Sequence, residues 1–147
     1  VDVPDPIENG PAHRIFTREF YKIVKKRLNT DGLIVVQSGP TAPSFANDCF
    51  TVVANTISNE FMSTASYHVF VPAFGSTWGF TIGSTSESKF HRDPEELDKT
   101  LLKRNVDDLL MFDGKACEGL FALPVYLRKE LQKETRIITK HDPLYVV

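Results

Sequence analysis

Long apolar runs are missing from this chain. No stretch approaches the roughly 20 residues that a helix needs to span a bilayer, so no membrane partner is expected. A charge excess is missing too. Against 17 basic residues stand 19 acidic ones, a net charge of −2, which leaves no broad basic surface for nucleic acid. Cysteine is scarce: Cys49 and Cys117 stand apart, without metal-ligand spacing. They fit small buried side chains in a reducing, cytoplasmic setting better than a disulfide framework. The four histidines, His13, His68, His91 and His141, are scattered, so no metal site is expected. Ser38-Gly39-Pro40 is not a nucleophile elbow. Repeats, low-complexity stretches and interdomain linkers are absent as well.

What is present is ordinary for a globular domain: 147 residues, 41% hydrophobic and 24% charged, enough for one core. Residues 1–16 are rich in turn formers, with Pro4, Pro6, Gly10 and Pro11. Thr17 can cap a helix whose apolar positions Phe20, Tyr21, Ile23, Val24 and Leu28 follow the 3.6-residue period. Its basic residues Lys22, Lys25, Lys26 and Arg27 favour the helix C-terminal end. After Gly32, residues 33–37 form a continuous apolar run ending in Gln37, which suits an internal parallel strand covered on both faces. A second helix is expected from Ser44 to about Phe61. Residues 64–71 and 78–84 read as an edge hairpin joined through Gly75-Ser76-Thr77. Asp93-Pro94-Glu95-Glu96 starts a third helix, and Leu123-Pro124 opens a further one through about Glu134. An extended end follows, with Ile137, Ile138 and the apolar tail from Leu144 to Val147.

This order is how the second half of a doubly wound α/β sheet with an antiparallel edge would read. The chain starts at Val1-Asp2 without a Met or an approach to a first element, so we read it as one incomplete unit, part of a longer protein. With strands missing beside the 33–37 run, one flank should expose an apolar patch or pair with another chain.

The segment Asp2-Val3-Pro4-Asp5-Pro6 places two carboxylates three residues apart in a proline-stiffened loop. In open α/β sheets ligands bind at the carboxyl ends of strands. There the two can converge on one small cation, and the alternative is an acidic surface turn.

Four stretches taken in order resemble the polyamine aminopropyltransferases, the spermidine and spermine synthase family. They are Asp2-x-x-Asp5-Pro6 leading to Gly10-Pro11, then Ile15-Phe16-Thr17-x-Glu19-Phe20-Tyr21, then 31–39 (DGLIVVQSG), then 71–80 (VPAFGSTWGF). The resemblance implies the C-terminal half of a Rossmann-like, class I methyltransferase-type domain. It also implies transfer of an aminopropyl group from decarboxylated S-adenosylmethionine, a co-substrate, to putrescine or a longer polyamine, with no metal or other cofactor. The expected assembly is a homo-oligomer, a dimer. Carried over residue by residue, Asp2 matches the proton acceptor and Asp5 the ligand of the acceptor amine. Pro11 matches a residue lining the methylthioadenosine moiety, Gln37 a polyamine binder, and Trp78 an aromatic wall suited to methylenes and an ammonium. The chemistry needs such groups. An alkylamine is protonated near neutral pH, and a carboxylate can take its proton and offset the charge that develops on attack.

Two departures stand out. Phe74 occupies a substrate-binding position where many members have a tyrosine. The glycine-rich loop that binds the nucleoside, with the acidic ribose ligand after it, does not occur. A catalytically weak regulatory paralogue and another nucleoside-dependent transferase, such as a methyltransferase, are therefore the competing readings; retention of Asp2 and Asp5 argues against the first. The fold hosts many chemistries.

Overall fold

A computed structural model describes residues 1–8, 10–87, 90, 92–106 and 108–146. His91, and Val147 of the tail, lie outside these described residues. A 3-10 turn (Ala12–Phe16) leads into helix α1 (Arg18–Arg27), then strand β1 (Leu33–Pro40), helix α2 (Phe50–Ser58) and the hairpin β2 (Ser63–Val71) and β3 (Ser76–Ser84). Helices α3 (Pro94–Lys103), α4 (Gly114–Phe121) and α5 (Val125–Lys133) complete the order.

The caps follow from side-chain chemistry. Thr17 Oγ1 accepts from Phe20 N at 3.3 Å, and basic Lys25, Lys26 and Arg27 close α1 against its dipole. Asp93 accepts from Glu95 N and Glu96 N at 3.0 and 3.1 Å, with Pro94 in the first turn of α3.

The sheet runs β1-β3-β2, antiparallel throughout. The hairpin falls where its sequence places it, but β3 sits in the middle and β1 flanks it. The expectation that 33–37 is covered on both faces does not hold. Along β1, exposure alternates: Ile34 and Val36 are buried, whereas Leu33 is 54% and Val35 38% exposed. The reason is that α1 and α2 both pack on one face, where Phe16, Tyr21, Ile34, Val36, Val53 and Ile57 form the main core. A run apolar at every position therefore shows its second face bare. Parallel pairing does occur on the outer edge of β1, through one residue. Val1 N donates to Val35 O at 2.5 Å and Gln37 N donates to Val1 O at 3.0 Å, the bond pattern of a parallel bridge centred on Val36.

Two boundaries and one helix differ from the sequence reading. Residues 43–49 form turns, and α2 starts only at Phe50. Thr51 N reaches back to Ala46 O, and Cys49 has φ −133°, outside helical space. Phe50 is fully buried against Gly79, where any side chain would collide with its ring. The hairpin turn occupies 72–75 because Pro72 cannot donate to the ladder and Gly75 takes φ +62°. Helix α4, capped by Asp113 Oδ1 accepting from Ala116 N at 2.6 Å, was not anticipated.

The extended end is pinned, not paired as a strand. Ile138 N donates to Thr56 Oγ1 at 3.0 Å while Ile138 O accepts from Arg18 N at 2.8 Å. Further on, Val146 N donates to Pro6 O at 2.9 Å, which ties the tail to the acidic loop. Among the described residues, no helix is long and apolar enough to cross a membrane.

Candidate active site

The parallel bridge of Val1 fixes where Asp2 goes. Its neighbour across the strands is Gln37, and register neighbours in parallel strands project to the same face. Gln37 in turn lies opposite Phe80, and Trp78 stands two residues along β3 on that same face. A bulge between Gln37 and Gly39 then shifts the register, so that Pro40 lies opposite Trp78. Gly39 makes the bulge possible. It sits at φ +99°, and a Cβ there would lie 2.7 Å from Cys49 Cβ.

Three sequence-predicted residues consequently meet. With its amide assigned the orientation that pairs both ends, Gln37 donates through its nitrogen to Asp2 Oδ1 and accepts through its oxygen from Trp78 Nε1 at 2.9 Å. Asp2 is exposed, Gln37 and Trp78 half-buried. Phe74 packs on Trp78, ring centroids 4.6 Å apart at 50°, and is 52% exposed. The Trp78–Gln37 bond was not foreseen, because residue spacing gives no cross-strand register.

Asp5 follows in the same loop, next to the fully buried Pro6. Burial raises its pKa above the ordinary 3.8. Among the described residues no side chain bonds the half-buried Asp5 carboxyl. Its charge reaches Cys49, whose thiol is pushed up to about 12 by burial first and then by Asp5 and Asp48. Pro11 is exposed at the start of the 3-10 turn, and among the described residues no hydrogen bond or ring contact joins it to Asp2, Gln37 or Trp78. His68 lies on the helix-covered face, 3.4 Å from Thr41 Oγ1, its pKa lowered by burial. Among the described residues no three His, Cys, Asp or Glu side chains converge on a metal position.

The arrangement is a carboxylate at a strand end, oriented by an amide and an indole, with a second carboxyl three residues on. Two carboxyls so placed on an α/β sheet can hold a cation. Residues 1–93 match the spermine/spermidine synthase domain, and the chain belongs to that family. It is 30% identical to a polyamine aminopropyltransferase of Sulfolobus acidocaldarius over 98% of this chain and 47% of the relative. To that of Sulfurisphaera tokodaii it is 34% identical, over 99% of this chain and 47% of the relative. The chain thus spans about half the length of these relatives. Among solved structures, spermidine synthase from Thermotoga maritima superposes with a TM-score of 0.68 at 24% identity, covering 86% of this chain and 42% of that one. A spermidine synthase in complex with the transition-state analogue AdoDATO gives 0.66 at 24% identity, over 82% and 41%. The fold is therefore that of part of a methyltransferase-like spermidine synthase domain, as the motif order implied.

Proposed function

We propose that this chain carries the acceptor-amine half of a polyamine aminopropyltransferase, with the nucleoside-binding half supplied by sequence preceding it in the whole enzyme. The observation that carries the reading is the Asp2 carboxylate held at a strand end by Gln37, one loop from the half-buried Asp5 carboxyl.

Asp5 holds the acceptor as an ammonium, a cation that offsets the charge of its half-buried carboxylate. Asp2 takes a proton from the attacking nitrogen and frees its lone pair. The nitrogen then bonds to the propyl carbon attached to the sulfonium of decarboxylated S-adenosylmethionine. The carbon–sulfur bond breaks, its electron pair stays on sulfur, and neutral methylthioadenosine leaves. The sulfonium makes the donor electrophilic already. The protein contributes orientation in line with the breaking bond and negative charge at the developing ammonium. Trp78 and Phe74 offer apolar surface to the methylene chain. Pro11 is assigned to the methylthioadenosine side by the family motif alone. A cytoplasmic setting is supported by the two free cysteines. Assembly as a dimer rests on the family resemblance.

The test uses the full-length enzyme with decarboxylated S-adenosylmethionine and putrescine or a longer polyamine. Elongated amine and methylthioadenosine should form in equal amounts. A protein that forms neither with any of these amines is not an aminopropyltransferase.

A further inference from the structure

We infer that Trp78 is a positioning residue for Asp2: through its indole N–H it selects which end of the Gln37 amide faces the carboxylate. The inference rests on the aminopropyltransferase reading, but it assigns Gln37 and Trp78 roles that an aromatic wall and a polyamine ligand do not require.

A glutamine amide is nearly symmetric in shape but opposite in polarity at its two ends. Facing Asp2 with its nitrogen it donates; facing it with its oxygen it repels. Nothing in the size of the side chain chooses between these. The indole N–H chooses, because it is a donor only and can pair with Gln37 only through the amide oxygen. At 2.9 Å that bond leaves the amide nitrogen directed at Asp2 Oδ1.

Both ends of the relay are anchored. Trp78 is fixed by the β3 ladder opposite Pro40 and by the Phe74 ring. Asp2 follows the Val1 bridge to Val35 and Gln37. With Oδ1 held, the carboxylate cannot rotate freely. Oδ2 has no partner among the described residues. That is the oxygen available to the attacking amine.

The test is a double-mutant cycle in the full-length enzyme. Trp78→Phe keeps an aromatic ring and removes only the N–H. It should lower kcat roughly 10-fold, the scale of one lost hydrogen bond that orients a charged group, with KM for the amine changed less than about 3-fold. In the Gln37→Ala background the same change should have almost no further effect on kcat, because the relay is already cut. Additive losses would overturn the inference, and so would a Trp78→Phe defect confined to KM. Gln37→Glu supplies a second readout should Trp78→Phe fold poorly. A glutamate there still accepts from the indole but cannot donate to Asp2, so kcat should fall. If it instead tightens the cationic acceptor at unchanged kcat, Gln37 is an amine ligand and the inference fails. Asp2→Asn serves as the reference. If that variant keeps full activity, the function proposed above fails; if it loses activity while the cycle is additive, only the positioning role fails.

Discussion

The charge of the Asp5 carboxyl raises the pKa of the Cys49 thiol, which is buried against Gly39 at the bulge of β1, and burial raises the pKa of Asp5 itself. Burial of an acid disfavours its charged form, so the folded chain holds the Asp5 proton more tightly than the unfolded chain does. The sign follows. The stability tied to this group is fully present below the ordinary value of 3.8 and is lost as pH rises through the raised folded value. At neutral pH the charge is therefore a cost to folding. Asp5→Asn should raise the melting temperature at pH 7 while raising KM for the acceptor amine, with a smaller drop in kcat. Thermal unfolding and steady-state kinetics of one preparation check both. A variant that is less stable and binds the amine normally would contradict the assignment.

Glu134 behaves oppositely. Burial would raise its pKa, but hydrogen bonds from Arg136 and from Thr51 Oγ1 (2.7 Å) outweigh it and hold the carboxyl down at about 2. Arg136 also donates to Asn47 O at 2.6 Å, which clips the segment after α5 to the turns before α2. A depressed acid contributes stability that is present above its ordinary 4.5 and is lost as pH falls through about 2. Glu134→Gln should cost about 1–2 kcal/mol at pH 7, at the low end for charged hydrogen bonds because Arg136 is half exposed. The gap between the two unfolding curves should close as pH falls from 4.5 toward 2.

Much of this was legible in the sequence. Thr17 and Asp93 cap the helices that follow them, because an N-terminal turn needs a side-chain acceptor whatever the tertiary context. Asp2, Gln37 and Trp78 were identified from the ordered motifs, and they meet. What one-dimensional reading could not supply was register. The central place of β3, the bulge beside Gly39 and the Trp78–Gln37 bond all depend on which residues face each other across strands. The late start of α2 was hidden for a related reason. Residues 44–49 have no local breaker, and it is the burial of Phe50 over Gly79 that fixes where the helix begins. Helix α4 carries Gly114 and Gly119, which weaken any periodic signal.

Phe74 offers a gain-of-contact test. It is half exposed and tilted against Trp78, so a hydroxyl on its ring would reach solvent beside the site without disturbing the core. Phe74→Tyr should lower KM for the acceptor amine a few-fold, leave kcat nearly unchanged, and shift the melting temperature little. An unchanged KM for every amine would show that this position does not contact the acceptor.

Asp2 carries the most demanding prediction. In the full-length enzyme, Asp2→Asn keeps the size of the side chain and an acceptor oxygen for Gln37, but removes the base. General-base contributions run to about 10²–10⁴-fold, roughly 3–5 kcal/mol in the barrier, and kcat should fall by that order. Donor binding should barely change, since under the proposed division of the enzyme the nucleoside is held mainly by the other half. The pH dependence then separates two ways in which a carboxylate can help. If Asp2 removes a proton, raising pH should partly rescue the variant, since more of the amine already arrives neutral. If it supplies only negative charge to the developing ammonium, the defect should persist undiminished at high pH. Parallel kcat profiles for the wild type and Asp2→Asn across the alkaline range would therefore rule out a proton-accepting Asp2. Converging profiles would establish it.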